Sequence, residues 1–280
     1  MRSSKASPTG FIFGDMGKYW AQIANASATE KQLTFVQSIF EAAKGLILDL
    51  GCGTGRHTVP LCMTGYNMIG LDLSRDLLQM AKSRATTTGA HCEFVQADMR
   101  FMPFQQGVFA GVISLDTSFG YSPSVEGDLQ VLHETKRVLA DRGKFLIDVF
   151  NLKHMIQRYH QKVNYKFEFW LWISLLRFIA RYPSISGLIA GLFKCYEYPD
   201  FYLLQRRMAD AKSGILSDLW LIKDKQDGQM GVYVHIVQLY DLAQMQNLLR
   251  KANLDPKQIY GNYKAETYTK TSNKLIIVAQ

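Results

Sequence analysis

The stretch LILDLGCGTGRH, residues 46–57, decides how this chain is read. Its first half is a short apolar run with one acid, Asp49, which reads as a strand buried on both faces. The run ends in a glycine loop, and a helical pattern follows from about Gly55 to Met63. Glycines at such a junction let the backbone come close to a ligand, and the helix start offers free N–H groups. A dinucleotide site would need the spacing G-x-G-x-x-G. Here that frame meets Gly51, Gly53 and then Arg56, so the spacing is G-x-G-x-G with Gly55 third. Asp49 stands two residues before the first glycine, where a pyrophosphate would be repelled and an amino group accommodated.

Outward from this loop, strands and helices alternate. Asn67–Asp72 reads as a second strand, and Ser74 as the N-cap of an amphipathic helix to about Arg84. Cys92–Gln96, Phe109–Leu115 and Lys144–Phe150 supply three more strands, with a helix over Val125–Leu139. Such alternation predicts a parallel sheet with helices on both faces and a ligand at the carboxyl ends of its strands. Asp72 ends the second strand, where an acid accepts from a ribose diol. Asp98 follows the third, where one can accept from an adenine amino group. Amino acid, ribose and adenine together make S-adenosylmethionine (SAM). Beyond 201, Lys212–Lys225 and Gln229–Gln238 read as strands around an Asp227-Gly228 turn. Asp241 caps a helix to about Ala252, and Gln258–Tyr263 and Asn273–Ala279 close the chain as strands. The pattern is one seven-stranded α/β domain with an insertion after strand five.

At these residues the sequence resembles the class I SAM-dependent methyltransferases. The motifs are LILDLGCGTGRH (46–57), MIGLDLSRDLLQMAK (68–82), EFVQADMRFMPF (93–104), FAGVISLDTSFGYS (109–122) and VLHETKRVLADRGKFLIDVFN (131–151). Ser118–Tyr121 is similar to a Ser-Phe-Gly-Tyr subgroup. The resemblance implies a Rossmann-like fold, SAM as cofactor and methyl transfer as activity. It implies that Asp49 and Gly51, with Gly53 and Gly55, meet the methionine part, and Arg56 its carboxylate. Asp72, followed by Leu73, would meet the ribose, Asp98 and the Met99 backbone the adenine, and Leu115 would close the methionine side. The implied layout is an N-terminal helical lid (1–40) with Tyr19 and Trp20, a SAM-binding core (41–151), an insertion over the acceptor site (152–238) and a return to the core (239–280). Asp141-Arg142-Gly143 replaces the usual Pro-Gly-Gly, Ala110 a common Asp, and Ser122 a common Phe.

The formal net charge of +8 hints at a polynucleotide, and its distribution argues otherwise. Residues 1–150 balance 14 basic against 14 acidic groups, whereas 151–212 hold 10 against 4. That basic segment brackets the most apolar stretch of the chain, Phe169–Phe193. Its runs are too short to span a bilayer and are broken by Arg177, Arg181 and Pro183. Two readings stand: a helical lid, or an interfacial hairpin (167–194) touching anionic lipid. Either one favours a small, apolar, lipid-like acceptor, and DNA is not expected. RNA methylation, or SAM and lipid binding without catalysis, are the alternatives. For a base, Tyr121 and His235 are the candidates, ahead of His133, Tyr233 and Tyr240. Cys52, Cys62, Cys92 and Cys195 form no metal-ligand spacing, so no metal is expected. The opening lacks a secretory core, and a cytoplasmic protein, with or without peripheral membrane contact, is expected.

Overall fold

The structure is a computed structural model that describes residues 17–25, 29–41, 44–159, 171, 174–175 and 193–280. The described residues fall into two compact units, one holding 155–238 and the other the segments up to 154 and from 239 onward.

The larger unit is built on a seven-stranded sheet. In chain order its elements are helices α1 (Gly17–Asn25) and α2 (Thr29–Phe40), strand β1 (Leu46–Leu50), α3 (Thr58–Met63), β2 (Asn67–Asp72) and α4 (Arg75–Thr88). There follow β3 (Glu93–Gln96), β4 (Phe109–Ser114), α5 (Val125–Val138) and β5 (Leu139–Phe150). The spatial order continues through two late strands, β11 (Lys274–Ala279) and β10 (Pro256–Tyr260), to give β10-β11-β5-β4-β1-β2-β3. Strands β1 to β5 pair in parallel, and β11 enters antiparallel to β5. The order reverses between β1 and β4, and that crevice is where sheets of this kind hold ligands.

Alternate strand residues face two cores. Leu48, Leu50, Val112, Phe145 and Ile147 pack with Val131 and Leu132 of α5 and with Met245, Leu248 and Leu249. Ile47, Met68, Ile113 and Leu146 pack on the other face with Phe35, Val36, Ile39 and Phe40 of α2. Ser74 caps α4, its side chain accepting from the Leu77 N–H, as the sequence pattern predicts. The helix expected from Gly55 begins only at Thr58, because Gly55 sits at φ +69° and closes a turn onto the Cys52 carbonyl.

After β5 the chain leaves through α6 (Leu152–Tyr159), which the sequence reading left unassigned. It returns at Tyr240, which bridges Asn151, so exit and re-entry lie side by side. Helix α7 (Leu242–Lys251) then starts with a capping box between Asp241 and Gln244.

The smaller unit is an antiparallel sheet of β6 (Lys194–Glu197), β7 (Phe201–Asp210), β8 (Ile215–Asp224) and β9 (Met230–Gln238), in that order. The hairpin expected around Asp227-Gly228 is β8–β9. Strand β7 was not expected. Arg206 and Arg207 interrupt its apolar alternation, and the partner that admits Arg207, Asp218, lies on the next strand. One face packs Phe193, Met208, Leu219 and Leu221. The apolar stretch 169–193 lies almost wholly outside the described residues, as does 1–16 of the expected N-terminal lid.

Candidate functional site

The glycine loop after β1 has a conformation only glycine adopts easily. Gly51, Gly53 and Gly55 sit at φ +71°, +54° and +69°. They differ in what surrounds them. A Cβ on Gly51 would come within 2.7 Å of the Ser118 Cβ, whereas one on Gly53 would meet nothing within 4 Å. The loop is therefore packed by the protein at Gly51 and open at Gly53, as a cradle for a ligand must be.

One buried carboxylate, Asp49, and one half-buried carboxylate, Asp72, flank it. Asp49, on β1, accepts a hydrogen bond from Thr58 Oγ1 at 2.7 Å. Burial lifts its pKa from 3.8 to about 6, against the Thr58 hydroxyl and the Arg56 charge. Asp72, at the end of β2, accepts from the Gly53 N–H at 2.9 Å and the Ser74 N–H at 2.8 Å. Burial raises its pKa also, opposed by those N–H groups. Asp98, after β3, is gripped by Arg100, whose backbone N–H and side-chain Nε reach Oδ1 at 2.9 and 3.1 Å. That guanidinium holds the Asp98 carboxyl below the usual range. Three acids thus stand at or just beyond the carboxyl ends of three adjacent parallel strands, around a loop with open space. An ammonium, a ribose diol and an adenine amino group are the donors such a set accepts, so these residues fit SAM.

Residues 47–143 match the profile of a family described as a methyltransferase domain. The putative methyltransferase YqeM of Bacillus subtilis is 33% identical over 106 residues, covering 38% of this chain and 42% of that protein. The demethylmenaquinone methyltransferase of Thermus thermophilus is 28% identical over 173 residues, 58% of this chain and 68% of that protein. A crystal structure of a SAM-dependent methyltransferase from Clostridium acetobutylicum superposes with a TM-score of 0.74 at 14% identity, covering 96% of this chain and 98% of that one. Residues 47–143 of this chain thus match a methyltransferase domain, set in a fold shared with SAM-dependent methyltransferases. Its match spans less than half the length of YqeM, and the structural likeness shows the shared fold.

Arg56 is more engaged than the sequence suggests. Its guanidinium donates to Thr29 Oγ1 at 2.8 Å, Gln32 Oε1 at 2.6 Å and Asp116 Oδ2 at 2.9 Å. Its charge is paired with that of Asp116. His57 Nε2 lies 3.0 Å from the same Gln32 oxygen, and burial with the Arg56 charge lowers its pKa to about 3. Leu115 is buried, Met99 is half-buried with its Cε near Gly51, and Leu73 is 45% exposed beside Asp72. Sequence reasoning missed Asp116, Asp148 and Lys274, whose charges converge after β4; their separation along the chain gives no local signal.

Tyr121 is half-buried in the loop after β4. The other candidate base, His235, belongs to the smaller unit. It lies in cross-strand register with Asp218, which pairs with Arg207 and accepts from Gln205. Its ring packs 4.4 Å from that of Trp220. Burial, then the Arg207 charge, lowers its pKa to about 3. A group that weakly basic is poorly matched to proton abstraction at neutral pH. Tyr240 donates to Asp128 at 2.6 Å, and burial raises both pKa values. Among the described residues no cluster could hold a metal ion, and no helix is long and apolar enough to cross a membrane.

Proposed function

We propose that this protein transfers a methyl group from SAM to a small, apolar acceptor. The arrangement of Asp49, Asp72 and Asp98 around a glycine loop open at Gly53 carries the cofactor half of that reading. SAM supplies an electrophilic methyl on a sulfonium, so positioning provides much of the rate. Asp49 accepts from the ammonium of the methionine part, which Gly51, Gly53 and Gly55 let lie against the backbone. Asp72, with Leu73 beside it, takes the ribose hydroxyls. Asp98 and the Met99 backbone meet the adenine edge, and Leu115 closes the methionine side. Arg56 holds the glycine loop to α2 and to Asp116. Tyr121 is the side chain assigned to the acceptor; His235 serves as a neutral packing group against Trp220.

Support for an apolar acceptor is the Phe169–Phe193 stretch and the relative whose name gives demethylmenaquinone as its acceptor. Methyl-labelled SAM incubated with lipid and aqueous fractions of cell extract is expected to label the lipid fraction. Label confined to the aqueous phase would sink this assignment. The same stretch, flanked by Lys162, Lys166 and Lys194, supports contact with anionic lipid. Pelleting with anionic but not neutral liposomes is expected, weakening as salt rises.

The Asp49 pKa near 6 makes cofactor binding pH-dependent. At pH 5 the group is mostly protonated and no longer accepts an ammonium. The affinity for SAM is expected to fall about tenfold between pH 8 and pH 5 by calorimetry. The fold responds to the same group in the opposite sense. Its folded pKa lies above the unfolded 3.8, so its contribution of about 3 kcal/mol is complete below pH 3.8 and lost as pH rises through about 6. Weaker binding at pH 5 therefore cannot come from Asp49-linked unfolding.

A further inference from the structure

The backbone turns sharply after β4. Asp116 and Thr117 occupy the left-handed region in succession, at φ +55° and +63°. A β-branched threonine there is strained, and such strain persists only where the surroundings over-determine it. Here the surroundings are electrostatic. Asp148, wholly buried on β5, accepts from both turn amides, Asp116 N–H to Oδ2 at 3.1 Å and Thr117 N–H to Oδ1 at 2.9 Å. Lys274, at the start of β11, donates to Asp148 Oδ1 at 3.0 Å and Thr117 Oγ1 at 3.1 Å, 4.9 Å from the Phe150 ring centroid. It also lies 3.6 Å from Asp116 Oδ1, and Arg56 holds the other Asp116 oxygen at 2.9 Å.

What the turn achieves is the placement of Ser118. Its hydroxyl lies 2.8 Å from the Leu115 carbonyl and 3.3 Å from that of Gly51, and its Cβ fills the space a side chain at 51 would need. The loop after β4 is thereby fastened to the glycine loop after β1, across the crevice where the strand order reverses. A glycine at 117 would remove the strain of the β-branched residue, while Asp116 is a residue type that visits the left-handed region at lower cost. Four buried or half-buried charges are a costly way to hold a bend unless its position matters.

We propose that Asp148 and Lys274 are positioning residues that hold the Asp116–Thr117 turn in its left-handed form and so set the cofactor cradle. The proposal rests on the SAM-dependent reading above. The test is SAM binding by calorimetry, well below the unfolding temperature, with circular dichroism confirming the fold. Asp148→Asn and Lys274→Met are each expected to raise the Kd for SAM on the order of tenfold. Thr117→Gly placed in the Asp148→Asn background is expected to recover most of that loss, because glycine removes the strain at 117, the β-branched position of the turn. A merely structural role would lower the melting temperature, leave the Kd alone and gain nothing from the glycine. Folded Asp148→Asn protein binding within twofold of wild type, or absence of recovery, would overturn the proposal. If Asp148→Asn alone does not fold, the double variant decides: SAM binding near wild type supports the proposal, and a folded or unfolded protein that does not bind overturns it. A wild-type protein that fails to bind SAM would instead bring down the function itself, and this proposal with it.

Discussion

Asp72→Ala is expected to raise the Kd for SAM at least about a hundredfold, since two hydrogen bonds to a charged carboxylate contribute about 1.5–3 kcal/mol each. The reason lies in what this carboxylate already does. One oxygen accepts from the Gly53 N–H and the other from the Ser74 N–H, so it ties the glycine loop to the start of α4 before any ligand arrives. Its carboxylate keeps further lone pairs at the end of β2, and a ribose diol there has two hydroxyls to donate. Alanine removes both the acceptor for the ligand and the tie that shapes the loop. Asn separates the two effects. It keeps one acceptor oxygen for a loop amide and loses the charge, so Asp72→Asn is expected to fold like wild type and bind SAM at an intermediate level. Calorimetric titration of the three proteins with SAM checks this. Equal affinity in Asp72→Ala and wild type would remove Asp72 from the site.

The parts of this protein that the sequence displays are those whose signal is local. Gly51-x-Gly53-x-Gly55 needs positive φ at three positions within five residues, and only glycine meets that cheaply. The parallel strands are short apolar runs bounded by turns, and Ser74 and Asp241 mark helix starts within one turn of the groups they cap. Hidden features depend on partners far along the chain. Strand β7 reads poorly because a half-buried charge, Arg207, interrupts its apolar pattern, and Asp218 makes that tolerable only once β8 is paired beside it. Arg56 reads as an open cation because Asp116, which neutralises it, follows at a separation of 60 residues. Lys274 meets Asp148 at a separation of 126 residues, and nothing in the sequence around either predicts the other. Helix α3 begins late for a mixed reason: the glycine that signals the loop also holds φ +69°, so it cannot be the first helical residue.

The two glycines of the loop are expected to respond oppositely to one added methyl. In Gly51→Ala the new Cβ would lie 2.7 Å from the Ser118 Cβ and 2.8 Å from its Oγ, closer than such atoms approach, at φ +71°. Ser118 cannot retreat freely, since its hydroxyl is held by the Leu115 carbonyl. The fold itself is strained, so a loss of stability of about 2–4 kcal/mol is expected from overpacking and left-handed strain together. Gly53→Ala meets nothing within 4 Å, so only its φ of +54° counts, at about 1 kcal/mol. Its methyl projects into the space that the cofactor reading assigns to ligand. Melting temperature is therefore expected to fall sharply in Gly51→Ala and little in Gly53→Ala, while the latter still loses SAM affinity by about a hundredfold or more, as clashes of this size cost about 3 kcal/mol. The dissociation of stability from binding is the diagnostic. A Gly53→Ala protein that is stable and binds SAM normally would mean that the open side of the loop is not where the ligand lies. If Gly51→Ala kept its full stability, the packing of Ser118 against the loop would not be the constraint that excludes a side chain there.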